Sequence, residues 1–553
     1  MQTSLYKSIM GALDAEQNQL HIFKLDRSVA LRNMLALFEV ELANLYLLDE
    51  TAALIGEEQP VPFHSNRDKL EDALCRMIPK VWQKCPTNQS LNTRFDTGTL
   101  DDSIAAMKFQ TTRNIVESML EFSRDGTMQC VVDGRNVRFN GVPGLSEIYD
   151  TQRLRNVELE SEVEERMISA IRAAESKKDT HLLDYWLAGL SVPMKMHGFE
   201  PGMSLGSYSV HDYSLVWAAL LTITNPIHLQ NREYMRRTLF GTKADPRKFV
   251  LLLKENDLEG RIANLTNLDN QTTKRVLADL KYKGSPHPTS IFLWPLVPLG
   301  GGIIALPPSF LLGVELFRNL RQRLIVESLT VYQQVKDKLA DNVLRYLEER
   351  LGEKGFRSRS KIVVRDSKGA IKTDIDLLAI QDDVILVTQV KNINPHDTPN
   401  ERSRVARDVR EAQNQLEVSL EYVSRNVENL LGGFTPKLSN RRTGYKVKGL
   451  IVSGVRPQVG ISVPRYDIID IVQFDAYLAS VLHPSDEGSP NVEYQDGLGW
   501  CRAGPWRIEA EMRRPNGMGD EVVNFGDVLP IENMKEYLTL GQESDIVSRN
   551  LRV

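Results

Sequence analysis

The chain has 553 residues, with 42% apolar and 25% charged residues and a formal charge of −5. Those values describe an ordinary soluble globular protein of roughly three to four domains at about 150 residues each, and they exclude a global polycation. The four cysteines, Cys75, Cys85, Cys130 and Cys501, show no CxxC spacing, which argues against a zinc knuckle or a disulfide scaffold and fits a reducing cytoplasmic setting.

The opening MQTSLYKSIMGALDAEQ has no apolar segment behind a basic one, so no secretory signal is expected. Residues 1–285 read as mainly helical. SVALRNMLALFEVELANLYLLDETAALIG, LESEVEERMISAIRAAESK and TTKRVLADLKYKG carry apolar residues at three- and four-residue spacing, the last stopping at Gly284. TMQCVVDGRNVRFNG alternates on either side of Asp133-Gly134 and predicts a β-hairpin. Tyr185, Trp186 and Trp217 fall in helical contexts and read as core. His197, His211 and His228 lack the HxxxH or HExxH spacing of a zinc site.

The uncharged stretch from Ser290 to Val314 has the length of a membrane span, but Pro295, Pro298, Pro307, Pro308 and Gly300-Gly301-Gly302 interrupt it. A hairpin turning at the glycines, followed by a helix near Pro308, accounts for residues 286–324. The glycine run lacks the GK[ST] of a phosphate-binding loop. One long helix is then expected from Ile325 to Gly352, with Val335, Leu339, Val343, Leu347 and Leu351 stepping by four.

Three strands follow, Lys361–Arg365, Ala370–Ile380 and Val384–Lys391, turned by DSKG and QDD. A helix ending at Gly432-Gly433, a strand over 446–455 and a strand plus helix over 466–482 complete an α/β pattern. Residues 483–553 read as a small β-rich appendage. The fold expected is an α/β C-terminal domain with a central mixed sheet flanked by helices (325–482). It stands behind a mainly α N-terminal region with small β-hairpins.

The chemistry-bearing stretch is TDIDLLAIQDDVILVTQVKN, residues 373–392. Alternate residues share a strand face, so Gln389 and Lys391 project together, as do Asp374 and Asp376. The QDD turn makes the strands neighbours and brings Asp376 beside Gln389 and Lys391. VILVTQV is nearly continuous in apolar residues, as in a central strand covered on both faces. A buried ion pair there scarcely recovers its desolvation penalty, so stability is a poor reason for it. Hard cations such as Mg²⁺ or Mn²⁺, in contrast, need oxygen ligands of this kind.

The Asp-x12-Gln-x-Lys pattern of Asp376, Gln389 and Lys391, on adjacent strands between two helices, resembles the PD-(D/E)xK nuclease superfamily, in its restriction-endonuclease-like and Holliday-junction-resolvase-like branches. The resemblance covers residues 325–482 and implies a Mg²⁺- or Mn²⁺-dependent nuclease, acting on DNA in prokaryotic defence, restriction or repair. It implies Asp376 as the principal metal ligand, Gln389 in the place usually held by Glu, and the main-chain carbonyl of Val390 completing the shell. Lys391 then activates the attacking water or steadies the phosphoryl charge. The resemblance also implies an acid from the first helix, Asp341 with Glu348 as rival, and a polar residue from the following helix, Gln413 or Gln415. Such domains often pair, so a homo-oligomer or a partner protein held through the N-terminal region is a further implication. A catalytically silent nuclease-like module used for nucleic-acid binding or assembly is the competing expectation.

Charge agrees with a nucleic-acid partner: residues 357–448 hold 17 Lys/Arg against 12 Asp/Glu. Arg402, Arg404, Arg407 and Arg410 recur at helix-compatible spacing and are candidate phosphate contacts. His396 lies just beyond the Gln-x-Lys strand.

Overall fold

The computed structural model describes residues 2–55, 63–87, 99–124, 128–141, 182–238, 249–284, 291–312, 316–365, 369–391, 399–432, 445–453, 466–471, 474–475, 477–478, 494–515 and 523–524. In chain order the N-terminal part contains α1 (Gln2–Asn18), α2 (Arg27–Ile55), α3 (Phe63–Lys84), α4 (Leu100–Arg124), β1 (Met128–Asp133) and β2 (Asn136–Gly141). It continues with α5 (Leu182–Met196), α6 (Val210–Thr238), β3 (Leu251–Lys254), α7 (Glu255–Thr266) and α8 (Asn270–Leu280), then β4 (Val297–Gly300), β5 (Ile303–Leu306), α9 (Ser309–Leu312) and α10 (Leu316–Glu327).

The uncharged 290–314 stretch is a hairpin, as its glycines demand: Gly300, Gly301 and Gly302 have φ of 101°, 58° and 72°, conformations open to glycine. The hairpin does not stand alone. β5 pairs with β3 in a sheet ordered β3-β5-β4, so the described residues 291–312 and 316–324 belong to the N-terminal body and do not form a separate connecting unit. Among the described residues no helix is long and apolar enough to cross a membrane. Trp217 is buried, as its helical context predicts, and Tyr185 and Trp186 are half-buried.

The long helix expected from Ile325 is two helices. α10 ends at Glu327 and α11 (Leu329–Glu353) begins after Ser328, whose φ of −138° and ψ of 51° break the helical path. α10 buries Leu316, Phe317, Leu320 and Leu324 in the N-terminal core, and the first half of α11 packs on the same core through Leu339. α11 then serves two cores. Leu339 belongs with the N-terminal cluster, and Val343, Leu347 and Leu351 belong with the sheet that follows.

That sheet contains β6 (Arg357–Arg365), β7 (Ile371–Gln381), β8 (Val384–Lys391), β9 (Lys446–Ser453) and β10 (Asp467–Asp470), with α12 (Pro399–Gly432) between β8 and β9. β6, β7 and β8 form an antiparallel meander, and β9 and β10 add in parallel, giving the order β10-β9-β8-β7-β6. Leu377, Ala379 and Leu386 face α11, while Leu378, Ile380, Ile385 and Val387 meet Ala412, Leu416 and Val423 of α12. β8 is covered on both faces, as its apolar run predicts.

The expected C-terminal appendage is also drawn in. β11 (Tyr494–Ala503), β12 (Trp506–Pro515) and β13 (Val523–Asn524) join the N-terminal hairpin in one sheet, ordered β1-β2-β12-β11-β13. β12 runs parallel to β2, and the sheet packs on α1 and α4. The two ends of the chain therefore share one core.

Two predictions follow from the packing. Gly198 has φ of 76°, and a Cβ there would overlap the main-chain oxygen of Leu339. Gly198→Ala is expected to cost about 2–4 kcal/mol, combining left-handed strain with overpacking, measured by urea unfolding. Buried Glu39 of α2 accepts from Ser309 N at 3.0 Å and from Ser309 Oγ, and burial pushes its carboxyl up to about 8. The folded protein holds a proton there that the unfolded chain releases near 4.5. Stability is therefore full below that value and falls as pH rises through about 8. In Glu39→Gln the loss of urea midpoint between about pH 5.5 and about pH 8.5 should be smaller than in the parent.

Candidate active site

β7 and β8 pair from Gln381↔Val384 to Leu377↔Thr388 and then part. β8 continues alone against β9, in parallel register as far as Lys391↔Ser453. The result is a fork between β7 and β8 at the carboxyl end of a central strand. Two side chains span it in place of ladder hydrogen bonds. Asp376 Oδ2 accepts from the main-chain N–H of Val390 at 2.7 Å. Gln389 Nε2 donates to the main-chain carbonyl of Asp374 at 2.6 Å. Because a carbonyl only accepts, this bond sets the orientation of the amide and leaves Oε1 as the Gln389 acceptor.

On the far side of β7 the backbone is irregular at the same level. The β6–β7 ladder passes from Ser360↔Leu377 to Ile362↔Ile375, so Lys361 and Asp376 sit opposite each other outside it. Lys361 has φ of 55°, a left-handed conformation that costs an L-residue about 1–2 kcal/mol. Its Nζ reaches Asp341 Oδ1 of α11 at 2.5 Å, and both side chains are more than half exposed. The hydrogen bond to Asp341 raises the Lys361 ammonium above its usual value, with the charges of Asp341, Asp337 and Asp376 adding to it.

Asp376 is the perturbed group of the fork. Burial pushes its carboxyl up to about 6, and the charge of Asp374 adds to this; the Val390 N–H, Lys391 and Lys361 oppose it. Lys391 is half-buried at the end of β8. With Val390 and Ser453 it lines a small cavity that also receives Val343 of α11 and His197 and Arg321 of the N-terminal body.

The expected residues are thus distributed unevenly. Asp376 and Gln389 are tied across the fork to the main chain of Val390 and Asp374. Gln389 is buried toward Ser419 of α12, while Lys391 lines the cavity with Val343, His197 and Arg321, so the two do not project together as the alternation predicts. The direct approach of Gln389 to Asp376 gives way to the two bridging bonds, and the Val390 N–H is what the Asp376 carboxylate receives. Asp341 joins through Lys361, whereas Glu348 lies about two turns further along α11. Asp374 is exposed and contributes its main-chain oxygen. Of α12, Ser419 is the polar residue that meets Gln389. It lies 3.5 Å from Nε2 and donates to the Gln415 carbonyl at 2.8 Å. The Gln415 side chain is directed at Glu411 instead, and Gln413 is half-buried.

Arg402, Arg404, Arg407 and Arg410 all lie within α12. At 3.6 residues per turn they fan over about 200° of its circumference, not a single stripe. Arg410 is exposed; the other three side chains, and His396, lie outside the described residues. Among the described residues no three His, Cys, Asp or Glu side chains group as metal ligands.

Sequence reasoning missed Lys361, Ser419, His197 and Arg321. Lys361 is an ordinary charge in RSRSKIVVR, and nothing in that alternation marks a left-handed residue. His197 and Arg321 come from distant segments that only the tertiary fold brings to β8.

The bridging bonds make a specific demand on position 389. Gln389→Glu, which restores the superfamily's usual acid, would set a carboxylate oxygen against the Asp374 carbonyl. A loss of about 1–3 kcal/mol is expected from the opposed acceptors, with urea unfolding as the measurement and an unchanged midpoint as the contrary result. Comparison of the chain with protein-family models, curated proteins and solved structures found no match.

Proposed function

We propose that residues 325–482 form a metal-dependent nuclease that hydrolyses phosphodiester bonds, in DNA, and that the N-terminal region recognises its target, partner or trigger. The observation that carries the reading is the fork. A half-buried carboxyl pushed up by burial to about 6, Asp376, lies within the electrostatic reach of Lys391 at the end of the central strand. Structural ion pairs rarely justify burying charge in this way, whereas active sites do so to tune reactivity. The order helix, antiparallel meander, helix, parallel strand is the one the PD-(D/E)xK resemblance implies.

The donor chemistry at the fork fits a hard divalent cation. Asp376 offers a carboxylate, Gln389 its Oε1 and Val390 a main-chain carbonyl, all oxygen. Mg²⁺ takes one or two carboxylates and keeps several of its own waters. The N–H and C=O of one residue leave a strand on the same side, so the Val390 carbonyl is directed to the side where its N–H meets Asp376. A bound Mg²⁺ or Mn²⁺ supplies charge neutralisation at the phosphoryl group.

The chain's own groups divide the remaining work. Asp376, with a carboxyl near 6, is mostly ionised at neutral pH. Lys391 presents a compact cation with three donor hydrogens, suited to orient water and steady charge developing on the phosphoryl oxygens. Lys361, tied to Asp341, holds a second cation beside Asp376 from the other strand.

One observation favours a second reading, a nuclease-like module that binds nucleic acid without cutting it. Gln389 brings no charge, and its Nε2 and the Asp376 Oδ2 are both engaged in bridging the fork.

The two readings separate in a cleavage assay on linear, supercoiled and single-stranded DNA and on RNA, with Mg²⁺ or Mn²⁺. Asp376→Asn and Lys391→Ala proteins, matched for folding, run beside the parent. Cutting should appear with the parent, stop on chelation and fall by at least about 100-fold in each variant. Equal cutting by parent and variants would remove the fork from the chemistry. Binding with no cutting would favour the second reading.

A further inference from the structure

The five-stranded sheet made by the N-terminal hairpin and residues 494–524 has one face in a core; on the other, among the described side chains, Arg138, Arg502 and Arg507 are exposed, Trp500 is half-buried and Glu509 is buried. Inward, Val137, Phe139, Cys501, Ile508 and Ala510 pack on Ile9, Leu13, Val116 and Leu120 of α1 and α4. Outward, strand register aligns the side chains in two rows. One runs Val131, Arg138, Glu509, Trp500 across β1, β2, β12 and β11. The other runs Asp133, Asn136, Arg507, Arg502.

This face is organised. Glu509 lies between two arginines: Arg138 Nη2 and Nε donate to its Oε2 at 2.7 and 3.2 Å, and Arg507 Nε donates to its Oε1 at 2.8 Å. Those hydrogen bonds, from Arg138 first, hold the carboxyl below its usual range. The Arg507 guanidinium also lies over the Trp500 ring, 5.1 Å from its centroid. Each guanidinium has five donor hydrogens, so both arginines keep donors beyond those used on Glu509. Arg502 is exposed at the end of its row, and Val131, 44% exposed, closes the other. With neighbouring strands about 4.8 Å apart, Arg138 and Trp500 are roughly 10 Å from each other.

We propose that this outer face, with Trp500, Arg138, Arg502 and Arg507, binds single-stranded nucleic acid. The occupant follows from charge and shape together. Three arginines against Glu509 and Asp133 leave the two rows cationic on a chain whose formal charge is −5. An indole interleaved with guanidinium groups on an open sheet suits unpaired bases, which stack on aromatic and guanidinium planes while arginines meet the phosphates. A duplex hides its bases from such a surface. An acidic peptide would use the arginines and leave the indole idle. The inference goes beyond the cleavage reading and does not depend on it.

The test is fluorescence anisotropy of labelled oligothymidylate and oligouridylate, with the full chain in chelator so that nothing is cut. Duplex DNA and polyglutamate serve as competitors. Trp500→Ala should weaken single-strand binding by about 5- to 50-fold, as expected for one lost stack. Arg502→Ala should lower the salt slope by about one. The chelator silences any cation at the fork, so loss of binding in Trp500→Ala and Arg502→Ala is read apart from the cleavage assay, and failure of this inference stays distinct from failure at the fork. The two labelled strands distinguish DNA from RNA. No binding by the parent, equal competition by polyglutamate, or unchanged binding in both Trp500→Ala and Arg502→Ala would overturn the inference. Arg502 is exposed, so its variant decides the matter if Trp500→Ala melts early.

Discussion

The arrangement of the molecule depends on α11 being shared between two cores. Leu339 is sealed among the N-terminal helices, and one turn later Val343 begins the row that covers the sheet. The segment after α5 fastens this crossing. Gly198 lets its main chain lie against the Leu339 carbonyl, and Asn342 Nδ2 donates to the Gly198 carbonyl at 2.8 Å. Glu200 then takes Lys338 at 2.7 Å and Arg345 at 2.9 Å. Exposed ion pairs of this kind contribute little each. The close main-chain approach is what sets the distance, because no side chain can intervene there.

A consequence reaches the fork. With α11 fixed in this way, the N-terminal body lies over the end of β8. Met196 enters the sheet core, and His197 and Arg321 line the cavity beside Lys391. Arg321 also donates to the His197 carbonyl at 2.9 Å, so the covering segment is bonded within itself. Anything that shifts α5 against α11 alters the surroundings of Lys391. The N-terminal body and the candidate site are mechanically adjacent, which a boundary near residue 325 read from periodicity does not convey.

Legibility in the sequence followed the range of the forces involved. Val384–Lys391 was readable to the residue, because seven nearly continuous apolar positions bounded by Asp383 and the charged Lys391 specify a central strand. The Gly300–Gly302 turn was readable because only glycine accepts those backbone angles without strain. The break at Ser328 was not, since neither proline nor glycine marks it and the helices on both sides of it pack on the same N-terminal core. The pairing of β2 with β12 was beyond reach for another reason. Arg138 and Glu509 are 371 positions apart, and no local pattern encodes a partner at that distance. At the candidate site the same division holds. The alternation rule singles out Asp376, Gln389 and Lys391 as candidates, but the irregularity at Lys361 and the parting of β7 from β8 decide which atoms those residues meet.

That parting also accounts for the amide at position 389. Where two strands diverge, the main-chain groups they would have exchanged need other partners, and buried ones left without cost about 1–3 kcal/mol each. Asp376 satisfies a donor, the Val390 N–H, and Gln389 satisfies an acceptor, the Asp374 carbonyl. An acid can do the first and only a donor can do the second. Gln389 is therefore the complement of Asp376 across the fork, and its Oε1 keeps an oxygen available on the same side chain. A site built this way accepts lower negative charge in return for a fixed geometry. Of the two residues, Asp376 alone brings negative charge to any cation held there, and burial already raises its proton affinity. Proton and cation would compete for that one carboxylate, so binding of a cation there would displace at most one proton and would weaken as pH falls through about 6.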